Sequence, residues 1–196
     1  MKIKLNSKDL INVGIFTLLY YIVAMIVIHI AFVPVIQLAS MPLMALLCAP
    51  IYLVFVAKVG KFGGILLMGL ICTALPGLVV FGSVTCFLVG FLFFVIAEFI
   101  AKIGKYKSQK FNNLSYVVVS FWSFGFLGMP WTAGEYFHKV CIDGGYSVEW
   151  ADGVIAAATP LNLVIMLAAT VVMAYVSIFF AKRLFRKHFN KAGILA

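Results

Sequence analysis

Long apolar runs separated by short basic clusters make up most of this 196-residue chain. Hydrophobic residues account for 65% of the sequence and charged residues for 11%, whereas a soluble domain carries about 25% charged residues. So few charges cannot cover a water-exposed surface, and lipid must therefore be the main solvent. The pattern predicts an all-α integral membrane protein, since a membrane-spanning helix needs about 20 mostly apolar residues.

Six apolar segments are predicted to form transmembrane helices within a single transmembrane domain. The first is too long for the core of a signal peptide and has no cleavage site after a short core. The domain covers residues 1–196, with helices over 10–33, 42–57, 63–80, 83–101, 114–129 and 160–181, an outer loop over 130–159 and a basic tail over 182–196.

Several local signals refine these segments. Pro50 is expected to kink the second helix, and Pro76-Gly77 is expected to break the third. Thr159 and Pro160 are typical of a helix start, with the threonine as N-cap and the proline at the first helical position. Residues 147–158, just before this start, favour a separate short helix at the outer surface.

The basic residues orient the chain. If it crosses the membrane six times, all but one of its 15 Lys and Arg residues fall on one side, and Lys139 is the exception. The positive-inside rule then places both termini in the cytoplasm. The clusters also favour contacts with anionic membrane lipid, and no continuous basic groove indicates a nucleic-acid partner. We therefore expect a multi-pass protein of the plasma membrane.

Catalysis finds little support in the sequence. The histidines at positions 29, 138 and 188 do not form the His-Glu-x-x-His pair of a membrane metalloprotease. Ser83 follows a glycine, but one Gly-Ser pair is a weak signal for a nucleophile. Both arginines lie in the tail, and the four cysteines lack metal-binding or disulfide spacing. We therefore do not expect an enzyme.

Glu98 is the carboxylate that lies within an apolar run, where a proton- or sodium-coupled transporter would place one. It is close to the predicted cytoplasmic end of its helix and four residues before Lys102, a spacing that favours a helical ion pair. The membrane core then offers no obvious coupling residue. A transported solute would accordingly take its energy from elsewhere.

The stretch from Trp122 to His138 is the strongest candidate for a binding site. Aromatic side chains near a membrane surface often form only an interfacial belt, but here glycines interrupt them and allow a ligand close to the backbone. Flat rings stack on flat ligands, and a few polar groups fix the orientation. His29 either hydrogen-bonds a neighbouring helix or contacts the ligand. The predicted substrate-binding residues are His29, Met129, Trp131, Glu135, Tyr136, Phe137 and His138.

This organisation resembles the substrate-binding S components of energy-coupling factor (ECF) transporters over nearly the whole chain. Within that group, residues 128–137 (GMPWTAGEYF) resemble the Trep_Strep integral membrane family. The resemblance implies a six-helix S-component-like bundle that binds a micronutrient near the outer face. It also implies a transmembrane coupling protein and two cytoplasmic ATPases as partners, which fits the absence of Walker motifs. Many S components carry Ala-x-x-x-Ala in the first helix, whereas Ala24 and Ala31 are seven residues apart, so the docking face stays open.

The resemblance favours haem as the transported ligand, with a flavin, thiamin or cobalamin as the alternative. Haem would be a substrate and not a resident cofactor, and no metal is expected in the ligand-free protein. Haem iron accepts histidine, so His29 and His138 are the possible iron ligands. The two haem propionates would need cationic partners, and the outer loops offer only Lys139, which counts against haem as the ligand. An autonomous channel or secondary transporter, and a membrane assembly factor without a ligand, remain alternatives.

Overall fold

The computed structural model describes residues 4–30 and 33–189, and within these ranges the chain forms helices and no strand. Parts of the predicted segment 10–33 and of the tail 182–196 therefore lie outside the described residues. In chain order the elements are α1 (Ser7–Ile30), α2 (Pro34–Leu38), α3 (Ser40–Val59), α4 (Gly64–Ala74), a π-helix (Leu75–Val80), α5 (Val84–Ile103), α6 (Gln109–Val119), α7 (Phe124–Leu127), α8 (Met129–Thr132), α9 (Gly134–Asp143), α10 (Val148–Ala157) and α11 (Pro160–Phe189).

Four stretches of the described chain are long and apolar enough to cross a membrane. They are Ser7–Ile30, Ile36–Val59, Val84–Ile103 and Pro160–Phe185, and a shorter apolar helix covers Gly64–Val80. Many of their large apolar side chains face away from the bundle, as Leu18, Leu47, Leu92 and Phe179 do. Exposed apolar area on this scale suits lipid as the solvent and not water.

The third segment is not broken at Pro76-Gly77, contrary to the sequence prediction. α4 instead runs on into the π-helix, where the Phe81 N–H donates to the Pro76 carbonyl five residues earlier, at 2.9 Å. Proline lacks an N–H and removes one α-helical hydrogen bond, and a π-helical turn is one way to continue past such a site. A Cβ at Gly77 would lie 2.7 Å from the Phe87 nitrogen, so the π-helix packs directly on α5.

The fifth segment, predicted as one helix over 114–129, is interrupted. α6 ends at Val119, a turn follows, and α7 and α8 are single turns of helix. Glycine and serine in this stretch favour turns over helix interiors. The interruption also has a tertiary cause: a Cβ at Gly125 would lie 2.2 Å from the Cys86 carbonyl oxygen, and one at Gly90 would lie 2.7 Å from the Trp122 carbonyl oxygen. The two glycines thus bring α5 into backbone contact with the interrupted segment.

Residues 130–159 form helices α8 to α10 and not a long loop. α9 and α10 make a hairpin, in which Phe137 and Cys141 are buried with Ala151 and Val154. The predicted short helix is confirmed as α10, and the Ser147 hydroxyl accepts a hydrogen bond from a backbone N–H in its first turn at 3.2 Å. α8 and α9 were not predicted from the sequence, because both are too short to appear as an apolar run that could span a membrane.

The start of α11 agrees with its predicted cap. Pro160 is the first residue, and the Thr159 hydroxyl accepts a hydrogen bond from the Asn162 N–H at 3.2 Å. The helix passes Ala181 without a break and continues to Phe189. The described part of the basic tail is therefore an extension of this helix.

Contacts between connections define two ends of the bundle. At the first, called the basic end, Lys61 pairs with Asp9 at 2.5 Å, so the connection after α3 meets the start of α1. At the second, called the hairpin end, Gly153 packs against Pro34, so α10 meets α2. α1 therefore runs from the basic end to the hairpin end, and α3 runs back to the basic end.

Candidate functional site

A cavity of about 490 Å³ lies at the hairpin end, between the start of α5 and the short helices that follow α6. Small-molecule sites in proteins commonly have volumes of about 300–1,000 Å³. The cavity is therefore large enough for a vitamin-sized ligand. It is lined by Gly82, Ser83, Val84, Thr85, Cys86, Val89, Phe124, Gly125, Met129, Thr132, Ala133 and Tyr136.

Small residues and a sharp turn open this space. Gly82 has φ +57°, a left-handed conformation that glycine adopts without strain, and it lets the chain turn from the π-helix into α5. Ser83 then caps α5, since its hydroxyl accepts a hydrogen bond from the Cys86 N–H at 3.3 Å. The Gly-Ser pair, a weak signal for a nucleophile, thus forms a helix start. Gly125 and Ala133 add no bulk to the opposite wall.

The chemistry of the lining is neutral. Its described residues offer the hydroxyls of Ser83, Thr85 and Thr132 and two sulfur atoms, and none of them carries a charge. The Thr132 hydroxyl donates to the Gly128 carbonyl at 3.2 Å, which leaves its oxygen lone pairs available to a donor on a ligand. Phe124 adds an aromatic wall. The arrangement can hold a flat, largely uncharged ring system by stacking and a few hydrogen bonds.

Tyr136 connects the two sides of the cavity. It lies on α9, and its hydroxyl donates a hydrogen bond to the Phe81 carbonyl at the end of the π-helix. The side chain remains 41% exposed, so it lies at the mouth and not in the core. Met129, on α8, also lines the cavity and is buried. The structure thus brings two of the seven predicted site residues together here.

Three other predicted residues hold the hairpin end together. The Trp131 indole N–H donates to the Thr159 carbonyl at 2.8 Å and ties α8 to the start of α11. Phe137 is buried, with its ring 6.4 Å from that of Trp150. His138 Nε2 lies 3.1 Å from an Asp152 carboxylate oxygen, which joins α9 to α10.

The last two predicted residues do not line the cavity. Glu135 is exposed in the first turn of α9. His29 is exposed near the end of α1, and its Nδ1 donates to the Met25 carbonyl of its own helix at 2.8 Å. This bond leaves Nε2 as the ring nitrogen that can accept or ligate. A ligand role for either residue stays a prediction.

Sequence reasoning missed the α5 wall of the cavity. Thr85, Cys86 and Val89 belong to a stretch that reads as an ordinary membrane helix, and no pattern in it distinguishes the cavity-facing residues. The neighbouring Gly82 was a usable signal, because a glycine before a helix often marks a special backbone turn. The side that faces the cavity depends on how α5 packs, which is a tertiary property.

Glu98 has partners other than the predicted Lys102. Its side chain is fully buried, and one carboxylate oxygen accepts the N–H groups of Gly63 and Leu66 at 3.1 and 3.2 Å. The Tyr106 hydroxyl donates to the other oxygen at 2.5 Å. Lys102 instead lies over the Phe62 ring, 4.7 Å from its centroid. The expected ion pair is therefore wrong, because the carboxylate caps the start of α4 across the interface between two helices.

These features define a helical, multi-pass integral membrane protein with a neutral cavity at one end. The chain belongs to the Trep_Strep family, described as a hypothetical bacterial integral membrane protein, whose model matches residues 7–191. The predicted resemblance to the Trep_Strep family is thereby confirmed. No curated protein and no solved structure matches the chain.

Proposed function

We propose that the chain is the substrate-binding S component of an ECF-type importer. The observation that carries the proposal is the cavity at the hairpin end, whose volume and neutral, partly aromatic lining suit a small micronutrient. Two of its lining residues, Met129 and Tyr136, belong to the segment that carries the resemblance. The substrate would enter at this end and leave the protein on the other side of the membrane.

We infer six membrane crossings, with both termini in the cytoplasm. The four long apolar stretches account for four crossings. α4 with its π-helix would form a fifth, shorter crossing, and α6 to α8 would form the sixth. The basic end carries Lys58, Lys61 and Lys102, whereas Lys139 lies on the hairpin. The positive-inside rule supports a cytoplasmic basic end and an external hairpin end.

The positions of the acidic residues support the proposal that the energy for uptake comes from another protein. Asp9 and Glu98 are the two carboxylates within candidate membrane spans, and both already have partners at the basic end. The other four, Glu135, Asp143, Glu149 and Asp152, lie on the hairpin. Because no carboxylate remains for ion coupling in mid-membrane, we propose that a separate coupling protein and two cytoplasmic ATPases drive uptake.

The lining favours a neutral vitamin over haem. Haem carries two propionates, and none of the lining residues that the structure describes is a cation. His29 and His138, the histidines considered as iron ligands, also lie outside the lining. Met129 and Tyr136 are of types that can ligate haem iron, but they would leave the propionates without a counter-charge. A flat vitamin such as a flavin is therefore the first ligand to test, with haem as the second.

Filling the cavity should weaken ligand binding. Purified protein would be titrated in detergent with riboflavin, thiamin, cobalamin and haem, one at a time. We expect saturable binding of one of them, and Val89→Trp should weaken it by about tenfold or more, which corresponds to about 1.4 kcal/mol. Val172→Trp is the matched control, because Val172 is exposed on α11 and outside the cavity.

Three outcomes would count against this function. Saturable binding of none of the four ligands would remove the micronutrient proposal, and equal weakening by both tryptophan variants would remove the cavity as its site. Accumulation of the ligand by the purified chain in liposomes without ATP would favour a secondary transporter. If haem binds, a Soret band that shifts in His29→Ala but not in His138→Ala would identify the predicted iron ligand.

Surface labelling tests the orientation. The four native cysteines are buried, and burial raises the pKa of the Cys141 thiol to about 11, so at neutral pH it stays a protonated, unreactive thiol. Asp143→Cys and Lys107→Cys each place an exposed thiol at one end of the bundle. A membrane-impermeant maleimide should label the Asp143 variant in intact cells and the Lys107 variant only after lysis. The reverse pattern would invert the proposed topology.

A further inference from the structure

A second cavity, which shares no lining residue with the first, is a groove between α3 and α11. Its volume is about 340 Å³. Leu46 and Pro50 form its α3 side, and Ser177 and Ala181, both buried, contribute its small α11 residues. The groove therefore exists because three wall residues are a proline, a serine and an alanine, which leave space between two packed helices.

The rim of this groove faces the surroundings of the bundle. Phe180 and Leu184 line it and are 59% and 49% exposed. Leu47 on α3 and Phe179 on α11, each next in sequence to a lining residue, are also exposed. In a membrane protein, such an apolar surface is in contact with lipid acyl chains, and the groove is open to them.

Arg183 gives the groove a charged end. It lines the groove and is exposed. All six Asp and Glu side chains lie within the described residues, and none of them pairs with Arg183 there. Three of them already have partners (Asp9, Glu98 and Asp152), and the other three lie on the hairpin. Arg183 is therefore open to an anion from outside the described residues.

We propose that the groove binds one anionic phospholipid, with an acyl chain between α3 and α11 and the phosphate on Arg183. The guanidinium matches a phosphate by two parallel N–H···O hydrogen bonds. The apolar walls match a hydrocarbon chain and offer little to a soluble anion. This site is independent of the proposed transport function, and it requires only that Arg183 lies at a membrane–water interface.

Lipid retention tests the proposal. Purified protein would be exchanged into detergent with equal amounts of dioleoyl phosphatidylglycerol and dioleoyl phosphatidylcholine, and bound lipid would be counted by native mass spectrometry. A cation near an anionic lipid contributes about 1 kcal/mol, so we expect about a fivefold preference for phosphatidylglycerol. Arg183→Gln should abolish the preference, whereas Lys182→Gln, the adjacent cation that does not line the groove, should keep it.

A second variant separates the acyl chain from the headgroup. Pro50→Leu places a longer side chain in the groove and restores a backbone N–H to α3, so the helix should remain folded. It should lower retention of both lipids by about fivefold or more, and soluble glycerol 3-phosphate should not compete. An unchanged preference in Arg183→Gln, unchanged retention in Pro50→Leu, or a dimer that Pro50→Leu dissociates would each overturn the proposal.

Discussion

Glu98→Ala is expected to lower the free energy of unfolding by about 3 kcal/mol, one of the largest effects of any single side chain in this protein. The Glu98 carboxylate is fully buried and accepts hydrogen bonds from the Gly63 and Leu66 N–H groups and from the Tyr106 hydroxyl. The two N–H groups belong to the start of α4, where the helix itself supplies no acceptor. Alanine would leave all three donors without this partner in a place that water reaches poorly.

The helix dipole adds to this effect. The start of α4 carries a partial positive charge, which a nearby carboxylate neutralises. Burial raises the pKa of Tyr106 well above its usual range, and the Glu98 carboxylate adds to the shift because the neutral phenol is the form that donates to it. The group therefore stays a donor at any pH at which the protein would be studied.

The measurement is equilibrium unfolding of the purified protein in mixed micelles. Glu98→Gln keeps an acceptor oxygen but loses the charge, and should cost about half as much as the alanine variant. Glu135→Ala removes an exposed carboxylate from the hairpin and should change stability by less than about 0.5 kcal/mol. Equal stability of Glu98→Ala and Glu135→Ala would show that the buried carboxylate does not hold α4.

Gly125→Ala is expected to disrupt the fold around the cavity, with a loss of about 3 kcal/mol or more. The added methyl group would lie 2.2 Å from the Cys86 carbonyl oxygen and 3.0 Å from the Gly90 nitrogen. Both atoms belong to the backbone of α5 and cannot rotate away as a side chain would. α5 and α7 would have to separate, and the cavity between them would lose its shape.

The same separation would disturb the aromatic core nearby. Trp122 packs against Phe94 and Phe126, with ring centroids 6.1 and 5.6 Å away. These rings are buried, and a shift of one helix would remove contacts on several sides. We therefore expect the proposed ligand binding to be lost together with the stability.

Gly14→Ala is the matched control for this substitution. Gly14 is an exposed glycine inside α1, and an added Cβ would meet no atom within 4 Å. Alanine is a better helix former than glycine by about 1 kcal/mol, so this variant should be neutral or slightly more stable. Thermal unfolding followed by circular dichroism compares the two, and similar midpoints would contradict the close backbone contact at Gly125.

The long membrane helices were predictable because their signal is local. A continuous apolar run of sufficient length is enough to identify α1, α3, α5 and α11. The start of α11 was also predictable, since Thr159 and Pro160 act on the backbone next to them. The interruption of the fifth segment was harder to predict, because one of its two causes is the close approach of α5 to Gly125.

The candidate site was predicted only in part for the same reason. Residues 128–137 pointed to the hairpin end, and Met129 and Tyr136 do line the cavity there. The opposite wall comes from Thr85 and Val89, some forty residues earlier, and nothing in their local sequence sets them apart. Helical spacing limits which residues share a face of α5, but it does not tell which face meets α7.

Composition and local sequence patterns were therefore sufficient to indicate that lipid is the main solvent, that the secondary structure is helical and which family the chain belongs to. Each of these properties depends on residues that are neighbours in sequence. The partners of buried polar groups depended on packing between distant elements. Glu98 illustrates the difference: its spacing favoured Lys102 one turn away, whereas the fold offers it the start of α4 at 3.1 Å. A buried carboxylate gains more from three donors than from one solvent-exposed ammonium, and that choice arises only when the helices are assembled.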